Sequence, residues 1–322
     1  MNKQKLQRTL WIMAIPVAYA LFLRIVFDMD IIRNFATVMS ITFFISLPFG
    51  VGVITIALSR IEKVKSLLYR IFMPWFPIGI FFIITLLIQI EGWACWIMIL
   101  PIFLIFGSLG GLTAGYFKLK RSRNETRLNI SLVFLLPLVL LSFENLLPVL
   151  PARYEAYTYA DIHAAKGKIW NNVTRVREIS AANDKGNFTH FLGFPRPVKA
   201  ELDYAGVGGS RKAVFSRGLV FDEVVKVYEH EKSMHFSIKA NPYNIPSATM
   251  DKHVVIGGDY FDVLDGTYRL EQLTATTWRL HLFSHFELKT TFNFYASWWA
   301  GWIMKDIQNN ILQVIKTRSE NE

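Results

Sequence analysis

Arg211 and Glu223 stand either side of a Ser216-Arg217-Gly218 triplet, and that spacing brings two opposite charges face to face. The triplet fits a three-residue hairpin turn that closes on a left-handed glycine with a bulge. In that register Phe215 pairs with Leu219, Ala213 with Phe221, and Arg211 with Glu223. Strand side chains alternate between faces, so the two charges share one face with Ala213, Phe215, Phe221, Val225 and Val227. Several kinds of chemistry are open to such a pair. It can be a structural ion pair at the rim of a sheet, or it can orient a ligand against an otherwise apolar wall. Alternatively, Glu223 can serve as a general base while Arg211 holds a substrate, because base catalysis needs a perturbed carboxylate beside the reacting group.

Other reactive side chains offer less. Cys95 is the sole cysteine and lies in a hydrophobic run, which excludes an intramolecular disulfide and a cysteine-based metal site. His281 and His285 share a strand face with Arg279 and Glu287, opposite Trp278, Leu280, Leu282 and Phe286, and so are expected to face solvent. His230 and His235 flank a turn. His253 follows a loop with Pro242 and Pro246 and precedes Gly257-Gly258-Asp259-Tyr260-Phe261; this loop, with Tyr260, is a candidate lid. No HxH, HExxH, GxSxG or phosphate-loop spacing occurs, so no metal and no cofactor is expected.

The elements that must position these residues divide the chain in two. Residues 1–151 are apolar runs joined by short charged connections, and residues 152–322 alternate polar and apolar as a water-soluble domain does. The first part carries 14 Lys/Arg against 6 Asp/Glu, the second 21 against 19. The positive excess is thus juxtamembrane, where it sets topology and attracts anionic lipid. A nucleic-acid partner would require a basic soluble domain, and this one is nearly neutral.

Five candidate spans, 10–27, 35–58, 71–90, 94–116 and 128–147, each have 18 or more residues, enough for about 30 Å of hydrocarbon. Positive charge collects at the N-terminus (Lys3, Lys5, Arg8) and in the second and fourth connections, while the first and third are poor in it. The positive-inside rule then places the N-terminus in the cytoplasm. Five crossings carry the soluble domain to the periplasm or exterior of a bacterial inner membrane. Ala18-Tyr19-Ala20 resembles a signal cleavage site, but hydrophobicity runs on through residues 21–27 and completes a span. Gly107, Gly111 and Gly115 form a ladder on one face of the fourth span, suited to packing a neighbouring span or to a homodimer. Arg24 and Glu144 are charges embedded in apolar sequence, about 21 and 24 Å from the cytoplasmic boundary at 1.5 Å per residue. Either they pair or each snorkels to the interface.

The second part reads as α+β: a strand at 154–162, a helix at 164–179, strands at 198–204, 210–215, 219–228, 234–240, 267–273 and 277–288, and a long helix at 294–316. Trp299, Ile303, Ile307, Ile311 and Ile315 give that helix an apolar stripe. Its aromatics Phe292, Phe294, Tyr295, Trp298, Trp299 and Trp302 exceed one stripe; they suit a cavity wall or a membrane–water interface. Ala164-Ala165-Lys166-Gly167-Lys168-Ile169-Trp170, Gly206-Val207-Gly208-Gly209-Ser210-Arg211, the Phe215, Gly218, Phe221 and Glu223 set, and Gly266-Thr267-Tyr268-Arg269-Leu270 together resemble the START-like superfamily of polyketide cyclases and lipid-transfer domains (helix-grip, SRPBCC). The resemblance spans residues 154–318. It implies a curved antiparallel sheet gripping a long C-terminal helix, and a hydrophobic ligand met by Arg211, Glu223, Phe215, Phe221, Tyr268, Trp170 and Tyr260. The expected function is a membrane-anchored extracytoplasmic domain that binds a lipid or other hydrophobic small molecule, as carrier or sensor. A cyclase- or hydrolase-like enzyme using Glu223, and an envelope-complex partner acting through the glycine face, are the alternatives.

Overall fold

The computed structural model describes residues 3–29, 40–90, 92–120, 131–146, 149–179, 188–241 and 256–321. The chain separates into two compact units, Met1–Val149 and Leu150–Glu322.

The first unit is helical: α1 (Lys3–Phe27), α2 (Ile41–Leu58), α3 (Ile61–Val64), α4 (Leu67–Phe72), α5 (Trp75–Leu87), α6 (Trp93–Lys120) and α7 (Ser131–Glu144). Among the described residues four stretches are long and apolar enough to cross a membrane: Gln7–Phe27, Ile41–Leu58, Leu67–Leu87 and Trp93–Lys120. The sequence leads to five, and the fifth is where it departs from the structure. α7 has 14 residues, or about 21 Å of helix, short of the roughly 30 Å of a hydrocarbon core. The ends of that expected span, 128–130 and 147, lie outside the described residues.

α2 is the most enclosed helix of this unit, and its ends show why. Four N-terminal amides of a helix lack partners within it. Here Glu144 takes the amides of Ile41 and Thr42 at 2.9 Å each, and Ser40 takes Phe43 through its hydroxyl and Phe44 through its carbonyl. At the other end Lys118 Nζ donates to the carbonyls of Ile56, Ala57 and Ser59 at 3.2, 2.7 and 2.5 Å. An anion at the start and a cation at the end both oppose the helix dipole.

The second unit is one curled antiparallel sheet of eight strands in the order β1-β8-β7-β6-β5-β4-β3-β2. The strands are β1 (Ala152–His163), β2 (Arg175–Val176), β3 (Pro197–Leu202), β4 (Ser210–Phe215), β5 (Val220–Glu229), β6 (Ser233–Ala240), β7 (Phe261–Gln272) and β8 (Thr277–Leu288). Among the described residues two short helices, α8 (Lys166–Thr174) and α9 (Phe188–Phe191), and the long α10 (Asn293–Asn321) accompany it. One core joins Trp170 and Val173 of α8, Leu202, Val225, Phe236, Tyr268 and Leu282 of the sheet, and Leu312 and Ile315 of α10. The first half of α10 closes a smaller cluster, with Ala296, Ala300 and Met304 against Phe286 and Leu288.

Three local readings change. The helix expected at 164–179 stops at Thr174, because Arg175 and Val176 pair with Glu201 and Ala200. The line of α10 that enters the core is Ala300, Met304, Gln308, Leu312 and Ile315, about one residue round from the isoleucine stripe. Finally, β7 begins at Phe261, not 267, and runs through Gly266. Gly266 lies opposite Phe236 in the register, and a Cβ there would strike the Phe236 ring. The glycine is a seat for that ring rather than a strand end.

Candidate functional site

The hairpin that carries the charges forms in the expected register: Ala213 pairs with Phe221 and Arg211 with Glu223. Arg217 and Gly218 both take the left-handed conformation, at φ 61° and 82°. The Phe215 amide donates to the Leu219 carbonyl at 2.8 Å and closes the turn. Farther along β5 a bulge falls between Val225 and Val227. It reverses the alternation, so Val227 turns outward and is exposed, while Tyr228 turns inward and accepts a hydrogen bond from Trp170 Nε1 at 3.0 Å. A bulge puts two residues opposite one, which no count by twos anticipates.

Arg211 and Glu223 are buried, at 5% and 4% exposure, and stand on the core side rather than at a rim. Arg211 Nε lies 2.6 Å from Glu223 Oε2. Among the described residues neither atom has a hydrogen bond of good geometry, so the contact is chiefly charge against charge. The guanidinium also donates through Nη1 to the Val173 carbonyl at 3.2 Å. Its plane meets two rings, with the Phe236 centroid at 4.8 Å and the Tyr268 centroid at 5.6 Å. Cations over aromatic faces gain most when desolvated, as here. Burial pushes the Glu223 carboxyl above its usual range, against the pull of Arg211. Burial likewise raises the Tyr268 phenol.

Of the residues the sequence groups together, Arg211, Glu223, Tyr268 and Trp170 share this one core region. Phe215 and Phe221 stack edge to face at 5.3 Å in an adjoining cluster with Val176, Ala200 and Leu219. Tyr260 stands elsewhere, its carbonyl bonded to the Lys289 amide at 3.0 Å. The candidate lid with His253 lies outside the described residues. His281 is on the face away from α10 but is buried at 4% exposure. Tyr157 bonds its Nδ1 and Glu271 its Nε2, both at 2.9 Å, and the rings of Tyr157 and Phe283 flank it.

Sequence reasoning missed Gln308, Phe236 and Tyr228. Gln308 is buried in α10 and bonded to the Ala156 carbonyl, Ser284 and Thr158 at 3.1, 2.9 and 3.0 Å. Its place four residues from both Met304 and Leu312 was the available signal.

In the first unit the two embedded charges find these partners: Arg24 meets Asp28 one turn on at 3.5 Å, and Glu144 clasps α2 as described. The glycine ladder is filled within the chain. A Cβ at Gly107 would press on Ile78, one at Gly111 would overlap the Arg70 carbonyl, and one at Gly115 the Arg70 side chain. Such contacts allow the close helix approach that small residues serve in membranes.

No family model matches the sequence, and no curated protein matches it. Among solved structures the chain is similar to norcoclaurine synthase from Thalictrum flavum, with 12% identity over 52% of this chain and 86% of that one and a TM-score of 0.33. It is similar to the Aha1 dimer from Colwellia psychrerythraea, with 16% identity over 52% and 97% and a TM-score of 0.29. A conserved protein of unknown function from Enterococcus faecalis gives 15% identity over 52% and 72%, also at 0.29.

Proposed function

We propose that the second unit is a binding module for a lipid or other hydrophobic small molecule, held at a bacterial envelope membrane by the first. The observation that carries this reading is the Arg211–Glu223 pair. It is a buried ion pair on the core side of a curled sheet, walled by Phe236 and Tyr268, with one donor and one acceptor not spent on aligned hydrogen bonds. Leaving buried polar atoms under-satisfied is costly, and a ligand headgroup that completes them recovers that cost. The apolar wall supplies affinity and the pair supplies orientation.

The loop charges support an extracytoplasmic domain, and so does the path of α7. α6 reaches the end of α2 through Lys118, and α7 reaches the start of α2 through Glu144. Lys118 and Glu144 thus stand at opposite ends of α2, which supports an exit from the membrane at the end of α2 away from Lys118. A periplasm-active reporter fused after Glu322 is expected to be active, and one fused at 60–70 silent; the reverse pattern would place the domain in the cytoplasm.

Native mass spectrometry of the full chain is expected to show co-purified hydrophobic ligand, weakened modestly by Glu223→Gln. Protein that carries none, and takes up neither phospholipid nor fatty acid when offered, removes the reading. The raised Glu223 carboxyl favours one second reading, a general base. In that case the ligand emerges chemically converted, and Glu223→Gln lowers turnover by roughly 10²–10⁴ with binding nearly intact.

A further inference from the structure

α10 has an outward stripe that changes character along its length. The exposed positions run Phe294, Trp298, Trp302, Lys305, Asn309 and Gln313, at helical spacing. Its first three residues are aromatic, at 72, 66 and 40% exposure, and its next three are polar. α9 broadens the aromatic end: Phe188 packs on Trp302 with centroids 4.5 Å apart, and Phe191 is 68% exposed. Contiguous exposed aromatic surface of this kind marks an interaction site.

Chain connectivity says what covers it. Glu144 is bonded to the first amides of α2, a helix of spanning length, so the end of α7 lies at the level where α2 leaves the hydrocarbon. Leu150 follows six residues later, within about 22 Å even for a fully extended chain. The Leu150 carbonyl accepts a hydrogen bond from Asn293 Nδ2 at 3.1 Å, and Asn293 is the first residue of α10. The aromatic end of the stripe is therefore the end joined to the membrane exit by the shorter length of chain. From Phe294 to Trp302 is about 12 Å of helix, comparable to the depth over which Trp and Tyr collect at a bilayer surface and amphipathic helices embed.

We infer that the first three turns of α10, with α9, dock into the lipid–water interface of the bilayer that the chain's own helices span. This contact rests on the membrane reading of the first unit and is independent of any ligand on Arg211–Glu223. It orients the sheet against the membrane, so that the domain is held by a surface as well as by a tether.

The test uses the full chain in vesicles of phosphatidylethanolamine and phosphatidylglycerol. Spin labels are placed through Trp298→Cys, Phe191→Cys and Gln313→Cys on a Cys95→Ser background, and collisions with oxygen are compared with those of a water-soluble nickel chelate. The expected oxygen-to-nickel ratio is several-fold higher at 298 and 191 than at 313. Equal, nickel-accessible labels at 298 and 313 would show the stripe in water. Exclusion of both reagents at 298 would show a protein cover, and either result overturns the proposal. With Cys95 untouched, brominated lipid should quench the wild-type chain more than Trp298→Phe; equal quenching again counts against docking. Ligand retention can be intact in a chain that fails these tests, so the two readings fail separately.

Discussion

Glu144 and Glu223 are both buried carboxylates, one in each unit, and they are satisfied differently. Glu144 has each oxygen 2.9 Å from a backbone amide at the start of α2, the place where a helix most needs an anion. Glu223 has an arginine at 2.6 Å, yet Oε2 makes no aligned hydrogen bond, and burial lifts its proton affinity. A carboxylate whose oxygens both meet backbone amides is a clamp, and its role ends with the fold. One held mainly by charge keeps hydrogen-bonding capacity for something else. The contrast distinguishes the two buried carboxylates more sharply than exposure does, since they differ by only a few per cent in exposure.

The largest expected effect comes from breaking the Glu223 pair on one side. Glu223→Leu leaves a buried guanidinium that cannot lose its proton and should cost about 3–5 kcal/mol. Arg211→Met leaves a carboxyl that can escape by protonating, so its cost should be smaller, on the order of 1–3 kcal/mol. The double variant should recover most of the loss, because a well-packed apolar pair often equals or exceeds a buried ion pair. Denaturant midpoints of the full chain in detergent measure all three. Independent, additive losses would mean that the pair is not coupled.

Glu144→Gln sharpens the other half of the comparison. It keeps one acceptor but exchanges the charge for a donor facing two backbone amides, an expected cost of about 1.5–3 kcal/mol. It should leave ligand retention unchanged. A loss of ligand would contradict the division into clamp and site.

Gly266→Ala probes the wall of the site instead of its charges. The added methyl meets the Phe236 ring, which lies 4.8 Å from the Arg211 guanidinium. Overpacking of this kind costs about 1–3 kcal/mol. Because the displaced ring is the one Arg211 stacks on, ligand retention should fall beyond what the stability loss explains. Unchanged retention would place Phe236 outside the site.

The hairpin register was readable because its turn chemistry and its period-two pattern agree, and Arg211 against Glu223 followed from them. What period alone cannot supply is the point where it breaks. The Val225–Val227 bulge sent Val227 outward and brought Tyr228 to Trp170, and nothing in the run of residues 224–228 announces an inserted position. The expected strand starts at 267, just past Gly266, whereas β7 runs through that glycine, which admits a ring from the neighbouring strand. In α10 the isoleucines drew the stripe about one residue away from the true line, because Gln308 is polar and yet central. Its three hydrogen bonds come from β1 and β8, partners more than twenty residues away that local sequence does not contain. The fifth span was legible as apolar composition but not as a long helix, and the described part of α7 is only 14 residues.

The smallest effect, and the one closest to the difference between the two carboxylates, is in pH. Burial holds the Glu223 carboxyl above its ordinary value in the folded chain. Between that ordinary value and the raised one, the folded state keeps a proton that the unfolded state has released. Stability depends on pH through the difference in bound protons, so it is full below the ordinary value and falls as pH rises through the raised one. Wild type should therefore lose stability relative to Glu223→Gln across that window, with a slope no steeper than about 1.4 kcal/mol per pH unit, the limit for one proton. The amide does not titrate, so the difference isolates Glu223 from every other group. Thermal or denaturant midpoints of both proteins, taken at half-unit steps upward from about pH 4.5, give the comparison. A gap that instead widens in favour of wild type as pH rises would mean that Arg211 holds the carboxylate ionised. Glu223 would then be a clamp like Glu144, with no spare proton affinity for a ligand or a substrate to use.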